Sequence, residues 1–298
     1  MRQYTYFPGC AMESTGKPIQ ASLDSVSKVL DIELKELEDW TCCGCPGESI
    51  NELAATAIAT RNLALAEKTG LDMVVPCSCC YRNLLAAHVT YTEDARIREQ
   101  VKKALAVTNL EYKGTLRVRN LVDVFINDIG LDVIASKVQK KLTGLKVANY
   151  YGCHQSRPYG PDDFEFPVWQ DQITESLGAE AVFYPLKAQC CGGTQLFSNK
   201  DMIYKLLYNI LDNVELHGGQ CISSTLCPLC FTNLDANQGR IKNRDGKKFN
   251  MPILALTQLM GIAFGLKPKE VGLDKNISPA LKAIKPYLKV RMQQEVLI

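Results

Sequence analysis

No stretch of 18 or more apolar residues occurs along the chain, so no transmembrane helix is expected. An excess of charge of either sign is also lacking. The formal net charge is +2 at pH 7, and no long basic run appears. Neither nucleic acid nor an anionic membrane is called for as a partner. The N-terminus, MRQYTYFPGC, lacks the long apolar core of a signal peptide and runs straight into a cysteine. The expectation is a cytoplasmic, unprocessed protein. A G-x-G-x-x-G dinucleotide fingerprint is missing, as is the C-x₂-C-x₂-C-x₃-C-P spacing of cubane ferredoxins. Any electrons this chain handles must therefore be exchanged with other proteins.

Cysteine is what the chain has in excess: 13 among 298 residues. The rest of the composition is that of an ordinary soluble protein, long enough for about two domains. In a cytoplasmic chain of this size, that many thiols point to metal or redox chemistry rather than a disulfide framework. Ten of them form two copies of one pattern. Cys10 is followed after 31 residues by Cys42-Cys43, then after 33 residues by Cys77-x-x-Cys80. Cys153 is followed after 36 residues by Cys190-Cys191, then after 35 by Cys227-x-x-Cys230. Flanking residues repeat too: YFPGC (6–10) with YYGC (150–153), CCG at 42–44 and 190–192, and CYRNL (80–84) with CFTNL (230–234). Repetition on this scale means duplicated halves, not a solenoid. The boundary is placed near residue 144, giving domains 1–144 and 145–298, the latter ending in a tail from about residue 268.

Hydrophobic patterning gives the fold class. Ser49 and Glu52 read as a capping box opening a helix with Ile50, Leu53, Ala57, Ile58, Ala64 and Leu65 on one face. MVVP (73–76) is then a buried strand delivering Cys77. Met202, Ile203, Leu206, Leu207, Ile210 and Val214 mark a helix stopping at Gly218-Gly219, and CISST (221–225) is the matching strand delivering Cys227. Alternating helices and short apolar strands predict an α/β fold: two pseudo-symmetric duplicated halves with mostly parallel sheets. Ligands gather at the carboxyl ends of such strands, where these cysteines fall, near the interface of the halves.

The adjacent thiols of TCCGCPGE (41–48) leave three chemistries open. A vicinal disulfide forces a strained ring. Zinc wants four ligands, usually as two close pairs, and adjacent cysteines do not easily both reach one small tetrahedral ion. A multi-iron cluster lets neighbouring thiolates bind different irons. Five cysteines in fixed order, twice, suit iron–sulfur chemistry best, with zinc in one half as the alternative. Gly9, Gly44, Gly152 and Gly192 let the backbone turn tightly beside an inorganic core, and Gly44 and Gly47 give the first loop room.

The pattern C-x(n)-CCG-x(n)-CxxC, twice in one chain of this length, resembles the cysteine-rich CCG domains of the B-type subunits of heterodisulfide reductase. The motifs run from residue 6 to 234, and ILALTQLMGIAFGL (253–266) is similar to that family's closing helix. The resemblance implies one non-cubane [4Fe-4S] cluster per half. Cys10, Cys42, Cys43, Cys77 and Cys80 would hold the first; Cys153, Cys190, Cys191, Cys227 and Cys230 the second. It further implies a disulfide or thiol substrate between the clusters, such as CoM-S-S-CoB. The implied partners are a ferredoxin-like iron–sulfur subunit of C type and a flavin subunit of A type. CCG domains also occur in succinate dehydrogenase- and fumarate reductase-like complexes as electron-transfer or docking subunits, and in bacterial sulfur-oxidising complexes. Those are the alternative readings.

Of the remaining residues, Cys45, Cys79 and Cys221 are read as non-ligands, Cys221 as buried strand filling. His154, next to Cys153, is the candidate proton donor to a thiolate leaving group. His88 and His217 are read as structural. Tyr81, Tyr150, Tyr151 and Phe231 are expected to pack around the cysteine sites and exclude water. Arg82 and Arg157 are read as solvated surface groups, and the tail lysines as a solvated or partner-facing segment.

Overall fold

Each half of the chain builds a four-stranded, all-parallel sheet, and both sheets have the same strand order. The structure, a computed structural model, describes residues 1–47, 49–195 and 198–288. The first sheet runs β2-β1-β3-β4, with β1 Arg2–Tyr6, β2 Ile32–Glu36, β3 Met73–Val75 and β4 Val118–Asn120. The second runs β6-β5-β7-β8, with β5 Lys146–Tyr150, β6 Glu180–Ala181, β7 Cys221–Ser224 and β8 Ile253–Ala255. The duplicated α/β architecture expected from the sequence is therefore present. The central strands are buried along their length, Met73 to Val75 and Cys221 to Ser224 alike. Parallel pairing explains this, because the crossover helices cover both faces.

In both sheets the chain steps outward from its first strand to its second, then returns to place the third on the other side. That reversal opens a crevice at the carboxyl ends. Cys10 and Cys77 follow β1 and β3; Cys153 and Cys227 follow β5 and β7. The topology thus delivers one cysteine to each side of each crevice before any side-chain packing is considered.

Two local expectations are corrected. The helix after the first CCG runs Glu52–Glu67 and is capped by Asn51, whose side chain accepts from the Ala54 N–H at 3.0 Å. Ser49 lies before the cap, so no Ser49–Glu52 capping box forms. The buried face of this helix is also not the one with the largest side chains. Ala55, Ala59, Leu63, Ala64 and Ala66 are buried and Leu53, Ala57 and Leu65 pack partly against the core, as expected of the last three and Ala64, whereas Ile58 is 44% exposed and Ile50, which precedes the helix, 86%. Small residues face inward because this helix packs closely against Ser78–Glu93.

The halves are joined by two helices far apart in sequence. Lys17–Val29 packs against Leu256–Ala263. Ser22 Oγ and Thr257 Oγ1 meet at 2.6 Å in this buried seam, and Ser25 donates to the Glu270 carbonyl at 2.8 Å. The tail is not simply solvated. Lys269, Lys275, Lys282 and Lys285 are exposed, but Val271, Leu273, Ala280 and Ile284 are buried and dock residues 268–288 on the body. Residues 289–298 of that tail lie outside the described residues. Among the described residues, no helix is long and apolar enough to cross a membrane.

The cap assignment is testable by chemical denaturation. Asn51→Ala is expected to cost about 1 kcal/mol by removing a helix cap, whereas Ser49→Ala is expected to change stability by less than about 0.5 kcal/mol.

Candidate functional site

Both C-x-x-C pairs sit where a strand hands over to a helix. Cys77 is the N-cap of Ser78–Glu93 and Cys227 that of Pro228–Asn237. Helix N-termini carry unpaired N–H groups and a partial positive charge, which favour a thiolate. The Cys80 and Cys230 N–H groups lie close enough to the Cys77 and Cys227 sulfurs to favour their thiolates.

The CCG turns supply a second set of donors. The Gly192 N–H donates to Cys190 Sγ and the Gly193 N–H to Cys191 Sγ, both at 3.3 Å. In the first half, the Gly44 N–H favours the Cys42 thiolate and the Cys45 N–H that of Cys43. Gly44 is required here. Its φ is +83°, and an added Cβ would lie 2.8 Å from the Ala55 carbonyl oxygen. Gly9 is required for a different reason: at φ +75°, its Cβ would lie 2.9 Å from Cys80 Sγ. A side chain at Gly9 would thus intrude on the cysteine site itself. Gly47, expected to share in making room, has open space around it and a φ outside the left-handed region.

The ten motif cysteines fall into two sets of interacting thiols, one per half. In the first, Cys43 is held down to about 4 by hydrogen bonds from Cys42 and Cys80, and Cys42 is pushed up by the same contact with Cys43. Cys10 lies close enough to Cys42 to oppose its ionisation. In the second, Cys190 is lowered to about 6 by its bond from Cys153, and Cys153 is raised in turn. Cys191 and Cys230 lie with sulfurs 3.5 Å apart. The two sets touch. Cys227 is lowered by bonds from Cys230 and from Cys77 of the other half, and the Cys79 N–H also donates to it. So many thiols facing one another, with N–H donors aimed at them, form a donor set for a soft, multivalent inorganic group.

Several residues that fix this geometry were not singled out from the sequence. Asn83 donates to the Cys43 carbonyl, and Asn233 to the Cys191 carbonyl at 2.7 Å. The signal was present, since both are the asparagine of the repeated C-[YF]-x-N-L. Asn62 adds a bond to the Cys42 carbonyl at 3.2 Å. Between the halves, Gln155 Oε1 accepts from Ser78 at 2.9 Å and from Asn120 at 3.0 Å. Lys187, fully buried, pairs with Asp171 and lies 5.0 Å over the Tyr151 ring. Its carbonyl accepts from the Tyr151 and Gly152 N–H groups. That buried cation fixes the segment that leads into Cys153.

The expected aromatic lining is in place. Tyr81, Tyr150, Tyr151 and Phe231 are all buried, and Tyr81 donates across the halves to the Tyr159 carbonyl at 3.1 Å. Arg157 donates to the Ala188 carbonyl at 3.0 Å and helps lower Cys190. His88 bonds Tyr112 Oη at 2.6 Å and His217 the Asn213 carbonyl at 2.7 Å, both away from the cysteines. Cys221 is buried in β7, where desolvation pushes its thiol up to about 12. His154 lines a small cavity of about 40 Å³ between the halves with Ser78, Cys79, Tyr151, Cys153, Cys190 and Cys227. Cys45 and Cys79, read from sequence as bystanders, are joined as a disulfide beside it.

Comparison with known proteins places this arrangement. The family profile described as a cysteine-rich domain, CCG, matches residues 4–85 and 147–235. The chain is 33% identical over 285 residues to the 8-methylmenaquinol:fumarate reductase membrane anchor subunit of Wolinella succinogenes, covering 94% of this chain and 99% of that protein. It is 29% identical over 283 residues to the B-type subunit of a ferredoxin/F(420)H(2)-dependent CoB-CoM heterodisulfide reductase of Methanosarcina acetivorans, covering 93% and 94%. Among solved structures, a hypothetical protein from Helicobacter pylori shares the fold with a TM-score of 0.72 at 16% identity, over 93% of this chain and 52% of that one. The chain resembles the B-type subunits of heterodisulfide reductase along most of its length. With both motif-bearing segments matched, it belongs to the CCG cysteine-rich domain family and carries two copies of the domain.

Proposed function

We propose that this protein is the disulfide-handling subunit of a heterodisulfide reductase-like complex. In this reading, Cys10, Cys42, Cys43, Cys77 and Cys80 hold one [4Fe-4S] cluster of non-cubane type. Cys153, Cys190, Cys191, Cys227 and Cys230 hold the second. When bound, such groups supply electrons one at a time, and a disulfide needs two. The observation that carries the reading is the approach of the two sets: Cys77 and Cys227 shift each other's ionisation, and one cavity brings Cys79 of the first half beside Cys153, Cys190, Cys191, Cys227 and Cys230 of the second. A substrate sulfur admitted there lies against the second set and beside Ser78 and Cys79, the two residues between Cys77 and Cys80 of the first. Tyr81, Tyr151 and Phe231 exclude water around it. His154 lines the same cavity and is placed to give a proton to a departing thiolate. Electrons come through partner subunits, a ferredoxin-like iron–sulfur protein and a flavoprotein, since the chain has no nucleotide fingerprint of its own.

A second reading is favoured by one observation, the 33% identity to a fumarate reductase membrane anchor subunit. There the two cysteine sets pass electrons and dock the chain on a larger complex, with no sulfur substrate. The readings part on turnover. A protein of the first kind reduces or forms disulfides when given a one-electron donor. One of the second kind takes up the same electrons and turns over no thiol or disulfide.

Iron, acid-labile sulfide and zinc are to be measured on protein purified without oxygen. The expected result is about eight iron and eight sulfide per chain, with Cys43→Ser and Cys191→Ser each losing about half. Zinc in place of iron would sink the proposal.

Loss of the asparagine that holds a CCG turn gives a milder version. Asn233→Ala leaves the buried Cys191 carbonyl without this donor and is expected to cost about 1–3 kcal/mol. Iron retention should fall in the second half alone.

His154→Gln is expected to lower disulfide turnover about 100-fold, the scale of lost general-acid catalysis. Iron content and KM should stay unchanged. An unaltered rate would remove His154 from the chemistry.

A further inference from the structure

Two thiols outside the duplicated pattern meet at the boundary between the halves. Cys45 opens the short helical turn Cys45–Gly47 just after the first CCG, and Cys79 lies in the first turn of Ser78–Glu93. They are bonded to each other across 34 residues of sequence. His154 arrives from the other half, and its ring nitrogen and the two sulfurs all lie within 4.8 Å of one another. Neither thiol has a counterpart in the second half, where Gly193 follows the CCG and Leu229 precedes Cys230.

Their surroundings differ in a directed way. Cys79 is buried and lines the cavity shared with Cys153, Cys190 and Cys227. Cys45 is only half-buried. Cys79 thus lies on the cavity side of the pair, and Cys45 is the more exposed of the two residues.

We propose that Cys45 and Cys79 form a redox-active pair that carries two electrons between the cysteine sites and an external thiol or disulfide. The source of the electrons rests on the iron–sulfur reading above; the reversibility of the pair does not. In the reducing direction, the Cys45–Cys79 bond takes two electrons, one at a time, from an iron–sulfur donor. It takes two protons from solvent, breaks, and leaves two thiols. Cys45, the more exposed, then attacks an external disulfide as its thiolate. A mixed disulfide forms on Cys45, and one substrate thiol departs with the proton that Cys45 gave up. Cys79 attacks the Cys45 sulfur, the second substrate thiol departs with the Cys79 proton, and the Cys45–Cys79 bond reforms. The sum is one disulfide, two electrons and two protons giving two thiols. An accessible attacking thiol with a resolving partner beside it is what such exchange requires.

The test uses the full chain, loaded and kept without oxygen. It is equilibrated in buffers of reduced and oxidised glutathione, then alkylated and read by peptide mass spectrometry at Cys45 and Cys79. The expected result is a pair that opens and closes reversibly across the buffer series. Cys45→Ser and Cys79→Ser are expected to keep their iron and sulfide yet lose turnover of a small disulfide by about tenfold or more. A pair that stays closed in fully reduced glutathione overturns the proposal. So does loss of iron from Cys79→Ser, a zinc ion held by Cys45, Cys79 and His154, or full turnover in both variants. A reversible pair in a chain that binds no iron would instead sink the iron–sulfur reading and leave the exchange chemistry standing, so the two failures are told apart.

Discussion

A thiolate taken out of water must be given donors or a cation, or it will not stay ionised. Most of the architecture around the cysteines answers that requirement. Parallel strands end in helix N-termini, so Cys77 and Cys227 arrive already facing unpaired N–H groups. The CCG turns bend back so that the next N–H groups meet the sulfurs of Cys190 and Cys191. The remaining thiols then satisfy one another, which is why Cys43, Cys190 and Cys227 are lowered while Cys42, Cys153 and Cys230 are raised. Duplication supplies two such sets, and the strand order brings their inner edges into contact.

The fold class was legible because its signals are local. MVVP and CISST are short apolar runs flanked by turns, and the offsets between cysteine copies differ by only a few residues. The candidate ligands were legible for the same reason: a fixed order of five, seen twice, survives without any coordinates. Less visible was everything that depends on which face meets which. The helix after the first CCG carries Ile58, which looks like core and is exposed, because its partner demanded alanines. Capping fell to Asn51 over Ser49 because the turn before it uses two more residues than the spacing implied.

Long-range pairings escaped the sequence altogether. Nothing in the spacing says that Cys45 meets Cys79, or that a histidine from the other half closes on both. Buried Lys187, with Asp171 beneath Tyr151, is likewise invisible until the chain is folded. The asparagines Asn83 and Asn233 stand between these cases. They repeat in the two halves and could have been marked as shared, though their task, holding the CCG carbonyls, needed the geometry.

The seam between Lys17–Val29 and Leu256–Ala263 bears on how the protein comes into being. Ser22 and Thr257 are separated by 235 residues, yet both are fully buried in one contact. On the ribosome, the first half emerges long before its cover exists, with Ile19, Leu23 and Val26 waiting for a helix from the far end of the chain. Non-local contacts of this kind form late and slowly. The face of Lys17–Val29 that carries Ile19, Leu23 and Val26 thus stays open to water until translation is nearly over.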